Sequence, residues 1–267
     1  MSHIDRGRST EDRILVTNHP MKNLNTVVHG DCLEEMDKLI ALWIKVDAII
    51  TDPPYGTTAC KWDSIIPFDA MWERLNKLIK PNGAIVLFGS EPFSSALRMS
   101  NIKNYKYDWI YVKSQAQNFL NAKKQPLRNH ENISVFYKEQ CTYNPIKTAG
   151  KPYSCKSGKG GNSISADNNI TKGGHVTINT GERFPLSVME KIATENGVHP
   201  TQKPVALMEY LIKTYTNEWE TILDFTAGSG STWVACQNLN RNFILIEKEQ
   251  EYIDIINTRL SRNLSGT

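Results

Sequence analysis

Val46-Asp47-Ala48-Ile49-Ile50 is the stretch that most narrows what this chain can become. It is short, apolar and rich in β-branched residues, and it stops at Thr51-Asp52-Pro53-Pro54-Tyr55. A strand that is apolar on both faces must be covered on both, which is the situation of a parallel strand in an α/β sheet. Asp52 to Tyr55 then stand at its carboxyl end, the edge where open α/β sheets place their ligands. Residues 25–29, 84–88, 107–112, 133–137, 221–223 and 242–247 read as further strands. Helical spacing joins them: Leu33, Met36, Leu39, Ile40 and Trp43 share one face, and 68–79, 205–215, 233–239 and 250–260 repeat the period. Pro81-Asn82-Gly83 is expected to end the second helix in a turn. The expected fold class is α/β, a Rossmann-like, mostly parallel twisted sheet with helices on both faces.

Charge matters by location rather than by sum. The net charge is only +3, but residues 101–160 hold eleven Lys and Arg against three acids, +8, which leaves −5 for the remainder. A basic segment on an acidic body is the footprint of a polyanionic partner, or else a solvated surface. Nine aromatic residues interleave with those charges, Tyr105 and Phe119 among them, which suits nucleic acid but also strand packing. Five scattered cysteines lack C-x-x-C spacing, and His130-Glu131 has Ser134 where a second zinc-binding histidine would stand, so no metal site is expected. No apolar run has the length of a membrane span and the N-terminus lacks a signal-peptide core, so the expectation is a cytoplasmic protein without a membrane partner.

Two constellations carry chemistry. In Asp52-Pro53-Pro54-Tyr55 the prolines remove two donors and fix two φ angles, so a carboxylate, a carbonyl and an aromatic ring are held in one stiff loop. That set can accept both N–H bonds of a planar amino group at Asp52 and the Pro53 carbonyl while Tyr55 stacks on the ring. A proline turn without chemistry is the plain alternative. The second constellation is a strand running into Asp224-Phe225-Thr226-Ala227-Gly228-Ser229-Gly230-Ser231-Thr232 and then a helix. It is a dinucleotide-type loop, but no lysine follows Gly230 and the third Rossmann glycine is missing. The next strand ends in Glu247, 17 residues after Gly230, near the spacing at which an acid takes ribose hydroxyls. An adenosine-containing cofactor without a pyrophosphate, such as S-adenosylmethionine, fits this loop.

Together the two constellations resemble the DNA amino-methyltransferases that modify adenine N6 or cytosine N4, with their D-P-P-Y motif and D-x-x-x-G-S-G-T loop. The catalytic motif precedes the cofactor loop, as in the permuted β class. His199 to Pro204 is similar to the family's H-P-T-Q-K-P segment, Gly30-Asp31 to its G-D-x-L, and Pro126 to Glu131 to its P-x-R-x-H-E. The resemblance spans about residues 24–262 and implies a circularly permuted class I methyltransferase fold using S-adenosylmethionine. It implies that Asp52, Pro53, Pro54 and Tyr55 hold the target base. Asp224, Gly228 and Gly230 would surround the methionine part of the cofactor, in a loop that includes Thr226, Ala227, Ser229, Ser231 and Thr232. Glu247, with Lys248 beside it, would take the ribose, and Asp31, beside Cys32, the adenine. Thr201 and Lys203 would lie near the cofactor carboxylate, with Phe88, Gly89 and Ser90 along its other face. Lys123, Lys124, Arg128, His130, Lys147 and Lys151 would grip double-stranded DNA. Phe225-Thr226 in place of Pro-Phe, Ser231 in place of Thr and Leu245 in place of Gly are departures that remove no group the chemistry needs.

The implied organisation is a polar arm over 1–22, a catalytic half over 23–139, a target-recognition insertion over 140–196 and a cofactor half over 197–267. Positions 157–181 hold six of the 16 glycines, the composition of an insertion or of a disordered segment. The implied activity is methylation of adenine N6 in a base flipped out of the duplex. Cytosine-N4 methylation, a non-catalytic DNA-binding module and a methyltransferase for RNA or protein are its rivals. A homodimer and a cognate restriction endonuclease are the other partners the resemblance leaves open.

Overall fold

The computed structural model describes residues 15–17, 24–57, 63–156, 163–164, 170–171, 176–189, 192 and 202–264. In chain order the first elements are β1 (Leu15–Thr17), β2 (Thr26–His29), α1 (Cys32–Ala41), β3 (Val46–Thr51), α2 (Phe68–Leu78), β4 (Ile79–Gly89), α3 (Phe93–Ser100), β5 (Tyr105–Gln117) and β6 (Arg128–Phe136). Six short strands follow, β7 (Thr148–Ala149), β8 (Tyr153–Lys156), β9 (Ser163–Ile164), β10 (Ile170–Thr171), β11 (Val176–Asn179) and β12 (Glu182–Arg183). The chain closes with β13 (Val188–Met189), α4 (Val205–Tyr215), β14 (Thr221–Asp224), α5 (Ser231–Asn238), β15 (Asn242–Glu247) and α6 (Gln250–Leu264).

Among the described residues nine strands form one sheet, in the order β1-β2-β15-β14-β3-β4-β6-β5-β13. All its pairings are parallel except those of β6 with β4 and β5. The two-sided burial read from β3 is realised residue by residue. Ala48 and Ile50 point into a core with Leu207, Leu211, Trp233 and Ile256 from α4, α5 and α6. Val46 and Ile49 point the other way, to Met36, Leu75 and Leu97 from α1, α2 and α3. Each Val, Leu, Ile or Met among them, fully buried, contributes about 1.5–3 kcal/mol over its exposed state. The sheet is thus sandwiched, and its central strands β14 and β3 run side by side with Ile222 opposite Ala48 and Leu223 opposite Ile49.

Three local expectations are corrected. Trp43 lies beyond the end of α1 with φ 58° and is 88% exposed, so it does not share the packed face. The helix stops at Ala41, with Leu42 as its C-cap, and the apolar period outruns it by two residues. Pro81-Asn82-Gly83 is no terminating turn: α2 passes straight into β4, and Ile79 already pairs with Val46. The register shifts just after that pair, and Pro81 sits exposed at this irregular start, where a missing N–H costs little. The basic stretch after residue 112 continues β5 to Gln117 and re-enters β6 at Arg128, with Val112 opposite His130 and Gln117 opposite Arg128.

Residues 145–186 form a compact unit of their own. It is a nested antiparallel ribbon, β7 on β12, β8 on β11 and β9 on β10. This unit is narrower than the span set by composition, because Cys141 is buried in the main core and β13 pairs with β5. Of residues 1–22 only β1 is described, paired in parallel with β2. No described helix is long and apolar enough to cross a membrane.

Candidate active site

The adjacency of β3 and β14 brings their carboxyl ends together, and polar side chains join them. Thr51, the last residue of β3, donates to Asp224 Oδ1 at 2.5 Å and lies 2.6 Å from Thr226 Oγ1. Thr226 Oγ1 in turn donates to the Asp52 carbonyl at 3.1 Å. Asp224 also accepts from the Thr232 hydroxyl and from Thr226 N at 3.2 Å. Its carboxylate therefore serves as a clasp between two loops 173 residues apart in the chain rather than as a free acceptor for a ligand. Burial pushes the Asp224 carboxyl up to about 6 although its hydrogen bonds pull the other way.

The folded state holds the Asp224 proton more tightly than the unfolded one, so this group favours folding most below about pH 4 and loses that contribution as pH rises through about 6. Over that window the loss is on the order of 2–3 kcal/mol. Urea denaturation of wild type and Asp224→Asn between pH 4 and 7 is expected to show a stability difference that changes by this amount, in that direction.

The Asp52 loop is held from three sides. Asp52 Oδ1 accepts from the Tyr55 hydroxyl, and Oδ2 accepts from Lys203 Nζ at 2.5 Å. The Tyr55 ring packs on Phe93 with centroids 5.1 Å apart. Burial and then the Asp52 carboxylate push the Tyr55 hydroxyl well above its usual range, so it remains a donor. Asp63, which the sequence reading did not single out, accepts from the amides of Tyr55, Gly56 and Thr57 at 2.8–2.9 Å and freezes the far side of the loop. Only its position after a loop of mixed residues hinted at this.

Glu131 is the second residue that escaped notice as a site group. It is 6% exposed on β6, opposite Tyr111, with Lys113 on Oε1 and Lys203 Nζ 3.3 Å from Oε2. Burial opposes its ionisation, but Lys203 and Lys113 hold it below the usual carboxylate range. Burial alone would lower the Lys203 ammonium; Asp52 and Glu131 reverse that and hold it above its usual range.

On the other side of the clasp, Gly228 (φ 52°) donates its N–H to Glu247 Oε2 at 2.7 Å. Lys248 N and Glu249 N donate to Glu247 Oε1 at 2.9 and 2.8 Å. Nothing stands within 4 Å of where a Gly228 Cβ would be, whereas Gly230 (φ 80°), the N-cap of α5, faces Ile256 at 3.0 Å. Asp31 caps α1 through Leu33 N at 3.0 Å and lies 3.5 Å from Lys248 Nζ. Burial and then the Asp31 carboxylate push the Cys32 thiol up to about 12, which leaves it an uncharged lining group.

One open cleft of about 1390 Å³ takes in Asp31, Cys32, Asp52 to Tyr55, Ser90, Lys203, Asp224, Thr226 to Ser229, Ser231, Thr232, Glu247 and Lys248. Glu131, Arg128 and Ser114 to Phe119 line it too. That volume exceeds the ~300–1,000 Å³ usual for a single small ligand. Phe88, Gly89 and Gly230 do not line it. Phe88 is wholly buried with Lys203 Nζ 5.1 Å over its ring, and Gly230 is turned toward α6, so both act behind the surface. Thr201 lies outside the described residues. Among the expected phosphate contacts, Lys123, Lys124 and His130 are exposed. Arg128 is not a free arm, since it donates to Ser90 Oγ and to the Glu91 carbonyl. Within residues 145–186, Lys147 pairs with Glu182 at 2.7 Å and Lys151 is exposed.

Comparison with known proteins matches residues 46–258 to the N6/N4 family described as DNA methylase. The chain is 29% identical over 239 residues to the type II methyltransferase M.HpaI of Haemophilus parainfluenzae, covering 83% of this chain and 70% of that protein. It is 29% identical over 265 residues to the type II methyltransferase M2.DpnII of Streptococcus pneumoniae, covering 90% of each. The crystal structure of the M1.HpyAVI–SAM complex superposes with a TM-score of 0.58 at 28% identity, over 87% of this chain and 98% of that one.

Proposed function

The chain belongs to the N6/N4 DNA methylase family, whose methyl donor is S-adenosylmethionine, and from that premise we propose that it methylates adenine N6 in a base flipped out of double-stranded DNA. The observation that carries the reading is the hydrogen-bonded junction of the Asp52 and Gly228 loops within one cleft.

The residues present fit the cofactor. The unfilled space over Gly228 leaves room for a ligand against the backbone, and Asp31 and Glu247 are carboxylates suited to amino and hydroxyl groups. When bound, S-adenosylmethionine supplies an electrophilic methyl group. In this reading Asp52 and the Pro53 carbonyl accept the two N–H hydrogen bonds of an exocyclic amino group, which returns its lone pair toward nitrogen. Tyr55, backed by Phe93, forms the wall against which the base stacks. The Asp-Pro-Pro-Tyr form of the tetrad is what favours adenine over cytosine.

An amino group in a duplex is reached only after the base leaves the stack, at a cost of a few kcal/mol. The tip of the β5–β6 hairpin carries Phe119, 66% exposed, and Leu120, fully exposed, next to Lys123 and Lys124. Apolar wedges flanked by cations are suited to entering a base step and holding the backbone. In this reading residues 145–186 serve as the sequence-reading unit, with Lys147 and Lys151 on phosphates.

The test is mass spectrometry of nucleosides from duplex DNA incubated with the protein and labelled S-adenosylmethionine. N6-methyladenine is the expected product. N4-methylcytosine would replace the target base, and unlabelled DNA would leave a binding module.

A further inference from the structure

Lys203 is the meeting point of more interactions than a cofactor-carboxylate ligand needs. Its ammonium lies 2.5 Å from Asp52 Oδ2, 3.3 Å from Glu131 Oε2 and 5.1 Å over the Phe88 ring, and its side chain is only 14% exposed. Its backbone is fixed as well: Pro204 follows it as the N-cap of α4, and Ser231 Oγ, at the start of α5, donates to the Lys203 carbonyl at 2.8 Å.

Glu131 explains why a lysine can be held in this place. Its Oε1 is taken by Lys113, while Oε2 is buried without a hydrogen-bond donor and has only its ionic contact to Lys203. The charges alternate, Asp52 then Lys203 then Glu131 then Lys113, so each carboxylate meets at least one ammonium. A buried carboxylate with an unfilled oxygen is costly unless a cation is kept in front of it. Glu131 therefore holds Lys203 from behind, and Lys203 reaches forward to Asp52.

We propose that Lys203 is a positioning residue, clamped by Glu131, that pins one oxygen of Asp52 so that the other faces Tyr55 and the target amino group. The proposal deepens the methyltransferase reading and rests on it for its kinetic part. It also reassigns Lys203 from the cofactor carboxylate expected by resemblance. Because Ser231 of the cofactor loop grips the same residue, the clamp ties the catalytic loop to the cofactor loop by a second route besides the Asp224 clasp.

The test compares Lys203→Met, Lys203→Arg, Glu131→Gln and the Lys203→Met/Glu131→Gln double variant. Loss of Asp52 alignment is expected to lower kcat at saturating cofactor by about 10²-fold in Lys203→Met, since a displacement of an ångström has effects of that size. The dissociation constant for S-adenosylmethionine, measured by calorimetry, is expected to stay within about threefold, and Lys203→Arg to recover part of kcat. The double variant should lose no more than Lys203→Met alone, because the two residues act as a unit. A large rise in the cofactor dissociation constant with kcat preserved, or wild-type kcat in Lys203→Met, would overturn the proposal. A second measurement needs no turnover: a double-mutant cycle of urea unfolding with Lys203→Met and Asp52→Asn should show a coupling of about tenfold in the folding constant. Coupling in a wild type that labels no DNA would keep the clamp and reject the methyltransferase reading, and absent coupling would reject the clamp itself.

Discussion

Asp52→Ala is expected to lower the single-turnover rate of DNA methylation by at least about 10³-fold, the scale of losing one preorganised group that acts mainly in the transition state. Cofactor and DNA affinities should change by less than about threefold, because neither partner depends on this carboxylate for most of its contacts. The substitution removes acceptors from two groups at once, the Tyr55 hydroxyl and Lys203 Nζ. Because the Asp52 side chain is 31% exposed, water can solvate part of what is left, and the stability loss should be about 1–2 kcal/mol. Asp52→Asn keeps the volume but removes the charge and, with its carbonyl turned to Lys203, aims an NH2 donor at Tyr55 and the target amino group, so it should be as inactive as alanine. Rapid-quench assays with labelled cofactor and fluorescence anisotropy with duplex DNA separate these quantities. A variant with wild-type single-turnover rate would take Asp52 out of the chemistry.

The second large effect is expected at the glycine turn, where two neighbouring positions should fail for different reasons. Gly228 and Gly230 both have positive φ, which costs a side-chain-bearing residue about 1–2 kcal/mol. Beyond that shared cost they diverge. A Cβ at 228 meets no protein atom within 4 Å and points into the cleft, so Gly228→Val should fold but lose cofactor affinity by at least about 100-fold. A Cβ at 230 stands 3.0 Å from Ile256 on α6, so Gly230→Val should lose stability first, with cofactor affinity falling only as the loop shifts. Isothermal calorimetry with S-adenosylhomocysteine, paired with thermal unfolding of each variant, distinguishes the two. Equal affinity in Gly228→Val and wild type would place the cofactor elsewhere.

What could be read from sequence was what is encoded over short distances. The β3 run and its proline loop, and the strand, glycine loop and helix around Gly228, each specify their own conformation, and the parallel pairing of β3 with β14 set them side by side. Pairings across the chain were not legible. Nothing near Lys203 announces that its ammonium lies on a carboxylate 151 residues earlier, and Glu131 looks like one acid in a basic stretch until β6 turns it inward. Asp63 was hidden for the opposite reason: it acts on its own loop, but through backbone amides that any residue could have supplied. The helix-to-strand junction at Leu78–Ile79 was misread because Pro81 and Gly83 look like a turn wherever they fall. The ribbon over 145–186 lacks apolar alternation, since most of its described side chains are exposed and its order comes from ladder hydrogen bonds.

The central claim is that donor and acceptor are held in a single cleft by loops at the ends of β3 and β14. Its most direct measurement is the affinity of a bisubstrate compound in which adenine N6 is joined by a short linker to the 5′ position of the adenosyl group. If both halves are seated together, this compound should bind at least about 100-fold more tightly than S-adenosylhomocysteine, and Asp52→Ala should abolish most of that gain while leaving S-adenosylhomocysteine binding unchanged. Equal affinity for the two compounds, or a gain untouched by Asp52→Ala, would contradict the shared site.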